Sequence, residues 1–240
     1  MDGTGKGRPA TPQGGPETSD GPDTRAKLVA AAERLFAERG ANNVSLREIN
    51  RAAGQKNVAA LHYHFGSRRA LMLAIFERRM AGINQRRLAM LDEMSKAGLD
   101  GDCHSSVEAM ILPLAEQLAD PARGGHYVRF LAQAVADTDV DIGDLIRGRF
   151  DHGFAAIRRL LRTILAKLPP AIVEQRIRLA SKQMVYALAD RERHMATGDG
   201  RPDDLWLFID NLIDSTAGML TAPVSNTTRA RLDDRSKLTA

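Results

Sequence analysis

Ser45-Leu46-Arg47-Glu48-Ile49-Asn50-Arg51-Ala52-Ala53-Gly54, followed after Gln55–Leu61 by His62-Tyr63-His64-Phe65-Gly66-Ser67, decides the fold. Ser45 can accept from the backbone amide of Glu48 while the Glu48 carboxylate reaches back to Ser45, a reciprocal cap that starts a helix. Leu46, Ile49 and Ala53 fall on one face of it, and Gly54 stops it. A further short helix is expected from about Val58 to His64, ending at Phe65-Gly66. Ser67 then caps a much longer helix carrying Leu71, Ala74, Ile75, Arg78 and Met94. Upstream, Pro22-Asp23-Thr24 opens a first helix in which Leu28, Ala32, Leu35 and Phe36 recur at helical spacing, and Gly40 closes it. Two short helices joined at Ala53-Gly54, packed on a first helix and followed by a basic capped one, make a helix-turn-helix. The second helix of such a pair can enter a DNA major groove while its partner crosses the backbone.

Charge points the same way. The chain of 240 residues has a formal net charge of +4, but residues 24–90 alone carry +9, against −2 for residues 1–23 and −3 for residues 91–240. A basic quarter on a mildly acidic remainder suits a polyanion, although any solvated Arg-rich helical surface gives the same count.

The segments Leu28–Phe36 with Gly40, Ser45-Leu46-Arg47-Glu48-Ile49, Ala53-Gly54 and Leu61-His62-Tyr63-His64-Phe65-Gly66-Ser67 together resemble the tetracycline-repressor (TetR) family over roughly residues 24–75. The resemblance implies a homodimeric, all-helical transcription regulator, usually a repressor. Its N-terminal domain would bind a palindromic operator in double-stranded DNA, and its larger C-terminal domain would bind a small-molecule effector and dimerise. Ser45 and Arg47 would then meet phosphates, His62 would stand where a backbone-contacting Tyr is usual, with Tyr63 beside it, and Arg68 would stand in for a phosphate-binding Lys. The run from Gln55 to Leu61 is one residue longer than the family's usual spacing. An extra residue lengthens the turn or rotates the recognition helix by about 100°. The base-reading set therefore stays open among Lys56, Asn57, Val58, Ala59 and Ala60. Asn57 suits adenine, Ala59 or Ala60 a thymine methyl, and Lys56 a phosphate or guanine.

Outside this module the sequence reads as all-α. Hydrophobic residues make up 43% and aromatics 5%, no stretch is apolar enough for a membrane span, and the single cysteine excludes an internal disulfide. A soluble, cytoplasmic protein with no cofactor and no metal is expected. Residues 1–23, with six Gly and four Pro, and residues 224–240 read as disordered tails flanking a DNA-binding domain at 24–70 and a C-terminal domain at 71–223. Pro113 is expected to start or kink a helix. Two sequence clusters invite a chemical reading and lack support for it. His62-Tyr63-His64 has no carboxylate or Cys at metal-binding spacing, and Asp102-Cys103-His104 are sequence neighbours, which rarely converge as a triad. Enzymatic activity is not expected.

The stretch 203–220 carries two apolar stripes, Leu205, Ile209, Leu212, Thr216 and Met219, and Trp206, Ile213 and Leu220. So wide an arc needs cover on two sides, and with Ile177, Met184 and Leu188 of the preceding helix it reads as a dimer interface. The alternative is a central core helix. A lipophilic effector pocket is expected among helices 105–119, 126–136 and 145–165, lined by Met110, Leu114, Tyr127, Phe130, Gln133, Phe150 and Phe154. Each of these residues would serve equally as core. A DNA-binding dimer of the same fold without an inducer is the competing reading, and a helical enzyme using Asp102, Cys103, His104 or His126 the remote one.

Overall fold

The computed structural model describes residues 22–55, 58–119, 125–137, 145–198 and 204–238. Among them are ten α-helices and no strand: α1 (Pro22–Arg39), α2 (Leu46–Ala52), α3 (Val58–His64), α4 (Arg68–Lys96), α5 (Cys103–Ala119), α6 (Tyr127–Ala136), α7 (His152–Ile164), α8 (Pro170–Thr197), α9 (Asp204–Thr221) and α10 (Asn226–Leu238). The chain is all-α, with a helix-turn-helix head on a larger helical body. No described helix is long and apolar enough to cross a membrane.

The head forms around α1, whose Leu28, Ala32, Leu35 and Phe36 are buried against Ile49 of α2, Leu61 of α3 and Leu71 and Ile75 of α4. Gly40 takes a φ of 79°, which lets the chain leave α1 and turn into α2. The same α1 packs on α6 of the body, where the Phe36 and Phe130 rings lie 6.3 Å apart. Phe76 of α4 closes the cluster at 5.2 Å from Phe130. A buried ion pair reinforces the joint: Arg79 of α4 donates from Nε to Glu33 Oε2 at 2.9 Å and from Nη2 to Glu33 Oε1 at 2.5 Å. Head and body thus share α4 and are fastened across α1.

In the body α4 packs on α5 and α7, α5 on α9, and α8 on α6 and α9. A Cβ at Gly153 would stand 2.8 Å from Asn84 Oδ1 and 3.3 Å from Asn84 Cα, so α7 approaches α4 this closely only through glycine. Buried Glu192 of α8 accepts from the Arg129 amide at 2.8 Å and the Val128 amide at 3.4 Å, satisfying the first turn of α6.

Several local expectations change. The expected disordered segment 224–240 carries α10, begun by Ser225, whose hydroxyl accepts from the Thr228 amide at 3.3 Å. That cap had been hidden behind the polar composition of the segment. Of the N-terminal tail, residues 1–21 lie outside the described residues, whereas Pro22 and Asp23 already belong to α1, because Pro at the first helical position needs no donor. Pro113 lies inside α5, which runs through it rather than starting there. The expected helix at 145–165 is broken at residues 147–151. Gly148 adopts a φ of 71° and its amide bonds Asp151 Oδ1 at 2.8 Å.

Candidate functional site

The reciprocal cap at Ser45 is formed in full. Glu48 N donates to Ser45 Oγ at 3.2 Å, and the Ser45 amide and hydroxyl donate to Glu48 Oε2 at 2.9 and 2.7 Å. Glu48 also accepts from Arg39 Nη1 at 3.0 Å, tying α2 to the end of α1. The Ser45 hydrogen bonds, with Arg39, hold the Glu48 carboxyl at about 2, below its ordinary 4.5. A lowered carboxylate pKa means the stabilisation is complete above about pH 4.5 and disappears as pH falls through about 2. Glu48→Gln is therefore expected to lower stability at pH 7, with the deficit narrowing toward pH 2.5. Urea unfolding of both proteins at the two pH values measures this.

The turn between α2 and α3 is locked by Asn50, which the sequence reading passed over. It is buried, its Nδ2 donates to the Gln55 carbonyl at 2.9 Å, and the Gln55 amide returns a bond to the Asn50 carbonyl at 3.0 Å. A polar residue directly after the inward-facing Ile49 was the available signal.

Of the residues expected to read bases, Lys56 and Asn57 lie outside the described residues. Val58, Ala59 and Ala60 begin α3, and only their backbone is described. Further along α3, Leu61 turns into the head, while His62 is exposed and Tyr63 is 79% exposed. The cations sort by partner. All four of α1 are paired: Arg25 with Glu77, Lys27 with Asp23, Arg34 with Glu38 and Arg39 with Glu48. Arg47 and Arg51 of α2 and Arg69 at the start of α4 are exposed and have no such carboxylate partner among the described residues. Arg68 differs from its neighbours. It is half-buried and its Nη2 donates to the Val44 carbonyl at 3.0 Å, so it braces the segment leading into α2. Among the described residues of the head, the uncompensated positive charge thus comes from α2 and the start of α4.

In the body, an apolar cavity of about 160 Å³ lies among α4, α5, α6, α7 and α8. Leu114 and Phe154 line it, as expected of pocket residues, and so does Met184. Met110, Tyr127 and Phe130 are instead wholly buried in the core around it. Gln133 is exposed and faces a separate outer groove of about 630 Å³ beside Arg129, Asp190 and Arg193. Phe150 sits in the turn before α7 and not on a helix, and its carbonyl accepts from Asn84 Nδ2 at 2.6 Å. The residue missed here is Arg87, a cavity wall residue. It follows Met80, Ile83 and Asn84 on the buried stripe of α4 that continues through Met90 and Met94. A charged residue on an inward period was the signal.

The dimer stripes also need correction. Ile177, Met184, Leu188, Leu205, Ile209, Leu212 and Ile213 are buried within the chain's own body, and Met219 packs against it. The wide apolar arc of α9 is covered by α5 on one side and α8 on another, so no second subunit is needed to bury it. Trp206 alone of that set stands out, 49% exposed, beside Leu207 at 71%. Leu179 and Tyr186 are exposed on α8, so four of the seven exposed large hydrophobics among the described residues lie on these two helices.

Asp102, Cys103 and His104 do not converge. Asp102 accepts from the Ser105 amide and hydroxyl at 2.7 and 2.6 Å, capping α5. His104 Nε2 reaches Asp214 of α9 at 2.9 Å, and burial together with Asp102 pushes the Cys103 thiol up.

Residues 28–75 match the family model described as bacterial regulatory proteins, tetR family, and residues 108–219 match the tetracyclin repressor-like C-terminal domain. No curated protein matches the chain. Solved structures with similar folds include a mutant of HlyIIR at 16% identity, covering 83% of this chain and 96% of that one with a TM-score of 0.51. A gamma-butyrolactone receptor described as ArpA-like gives 21% identity, 80% and 95% coverage and a TM-score of 0.44. A TetR-family regulator from Rhodococcus sp. gives 17%, 81% and 98%, and 0.43.

Proposed function

Since the chain belongs to the tetracycline-repressor family of transcriptional regulators, matched in both head and body, we propose that it is a cytoplasmic, sequence-specific DNA-binding repressor. It acts as a homodimer on a palindromic operator and is released by a small lipophilic effector. The observation that carries this reading is the sorting of charge on the head. Cations are neutralised on α1 and left uncompensated at Arg47, Arg51 and Arg69, the helix-turn-helix elements that flank a docked duplex. Recognition falls to α3, where exposed His62 and Tyr63 follow the residues at its N-terminal end. Ser45 serves first as a helix cap, with its amide and hydroxyl directed at Glu48.

Phosphate contacts make binding steeply salt-dependent, with a log–log slope of about −0.9 per phosphate neutralised. Arg47→Ala and Arg69→Ala are each expected to flatten that slope by about 0.9. Arg68→Ala, which removes an intramolecular brace, is expected to lower thermal stability while leaving the slope nearly unchanged. Fluorescence-anisotropy titrations of duplex DNA at several salt concentrations distinguish these outcomes. Equal slopes for all three variants and the parent would place the DNA face elsewhere.

Two recognition helices must be held about 34–36 Å apart to read a palindrome, so the dimer is part of the mechanism. The outward faces of α8 and α9, with Leu179, Tyr186, Trp206 and Leu207, are the proposed interface. Exposed apolar side chains concentrate there, and a second copy presents the same patch in return. The effector acts from the cavity through α4. That helix lines the cavity with Met80 and Arg87 and holds α1 with Arg79, so a change in its tilt moves the head. A coupling of about 1–3 kcal/mol between the two sites is enough for regulation.

A further inference from the structure

The cavity is walled in part by a cation, Arg87, with which no carboxylate among the described residues forms an ion pair. Arg87 is 3% exposed, and its Nη2 donates to the Met110 carbonyl at 3.2 Å. Its Nε–H has no acceptor among the described residues, and the guanidinium lies over the Phe154 ring at 5.3 Å. Burial lowers its pKa only to about 10, so the group is charged at neutral pH. Among the described residues one carboxylate lines the cavity, Asp151, and it accepts from the Gly148 amide. Lys182 of α8 borders the cavity, with its side chain exposed. The remaining walls are mainly apolar, with Met80, Leu114, Leu131 and Ile146 among them. Leaving a buried cation with unspent donors is costly, and a bound anion removes that cost.

The size of the space suits a small partner. A cavity of about 150 Å³ takes a benzene-sized molecule, and this one is about 160 Å³. A guanidinium offers its N–H groups in a planar fork that matches a carboxylate. We propose that the cavity binds a compact monocarboxylate of about benzoate size, its carboxylate held by Arg87 and its apolar body beside Leu114 and Phe154. The proposal rests on the reading of this cavity as the effector site and adds the chemical class of the effector. It also gives the signal a route, because Arg87 and Arg79 share α4 and lie about 12 Å apart along its axis.

The test uses the full-length protein and calorimetric titration at neutral pH with benzoate, benzamide and benzyl alcohol, which share a body and differ in charge. Benzoate is expected to bind at least tenfold more tightly than either neutral compound. Arg87→Met is expected to abolish that preference while leaving the weaker neutral binding in place, and Arg87→Lys to reduce it. Equal affinity for acid and neutral ligands in the unmodified protein overturns the proposal while leaving the cavity as the effector site. Absence of binding by all three overturns both readings. Benzoate affinity undiminished in Arg87→Met also overturns it, since the acid would then sit elsewhere. The three-ligand comparison on the unmodified protein decides the matter even if the Met variant does not fold.

Discussion

Glu33→Ala is expected to lower the unfolding free energy by about 3–5 kcal/mol, because it removes the carboxylate that neutralises the buried guanidinium of Arg79. Both side chains are almost wholly enclosed, at 3% and 9% exposure, and the pair is bidentate. Removing one member therefore forfeits the attraction and keeps the desolvation cost of the other. The double variant Glu33→Ala with Arg79→Met is expected to recover most of the loss, since neither charge of the pair is then left behind. Urea unfolding of the three variants measures both effects. A loss below about 1 kcal/mol in the single variant would mean that the pair is solvated and does not fasten α1 to α4.

Phe130→Ala is the second large effect, expected at about 3–5 kcal/mol for a buried phenyl truncated in a packed core. Its ring meets Phe36 at 6.3 Å, Phe76 at 5.2 Å and Tyr127 at 6.2 Å. It therefore joins α6 to both α1 and α4. A loss of this size is a large share of the roughly 5–15 kcal/mol that holds a typical domain together. The same substitution separates two roles proposed for this residue. As a core joint, Phe130 affects stability and the mounting of the head; as a wall of the effector cavity, it would affect ligand affinity. The structure places it away from the cavity lining. Unfolding midpoints are therefore expected to fall sharply, while benzoate affinity under folding conditions changes little. Denaturation and calorimetry of one variant report on both.

The head was legible in the sequence because its signals are local. Ser45 and Glu48 specify a helix start through hydrogen bonds three residues apart, Gly54 and Gly66 supply positive φ where the chain turns, and Ser67 caps α4. The body was legible as helices but not as a packing arrangement. Apolar stripes on α8 and α9 show that side chains are buried and leave open by what. Ile177, Leu205 and Ile209 accordingly read equally well as a subunit interface and as internal core, and the structure puts them in the core. The cavity was legible only in part, through Leu114 and Phe154. Its most informative residue, Arg87, becomes conspicuous only when α5 and α7 close over it and no carboxylate among the described residues follows. Asn50 and Glu33 share that character: each is an ordinary polar residue in sequence, and each owes its role to a partner brought close by folding.

The most direct measurement of the central claim is selection of binding sites by the purified full-length protein from random-sequence duplex DNA at moderate salt. The account predicts enrichment of a palindrome whose half-sites are separated by about one turn of the duplex, bound by two protomers. Loss of the enriched binding in Arg47→Ala and Arg69→Ala would follow from the same placement of the DNA face. Recovery of unenriched DNA, or failure to retain any duplex under conditions where the protein is folded, would contradict the account.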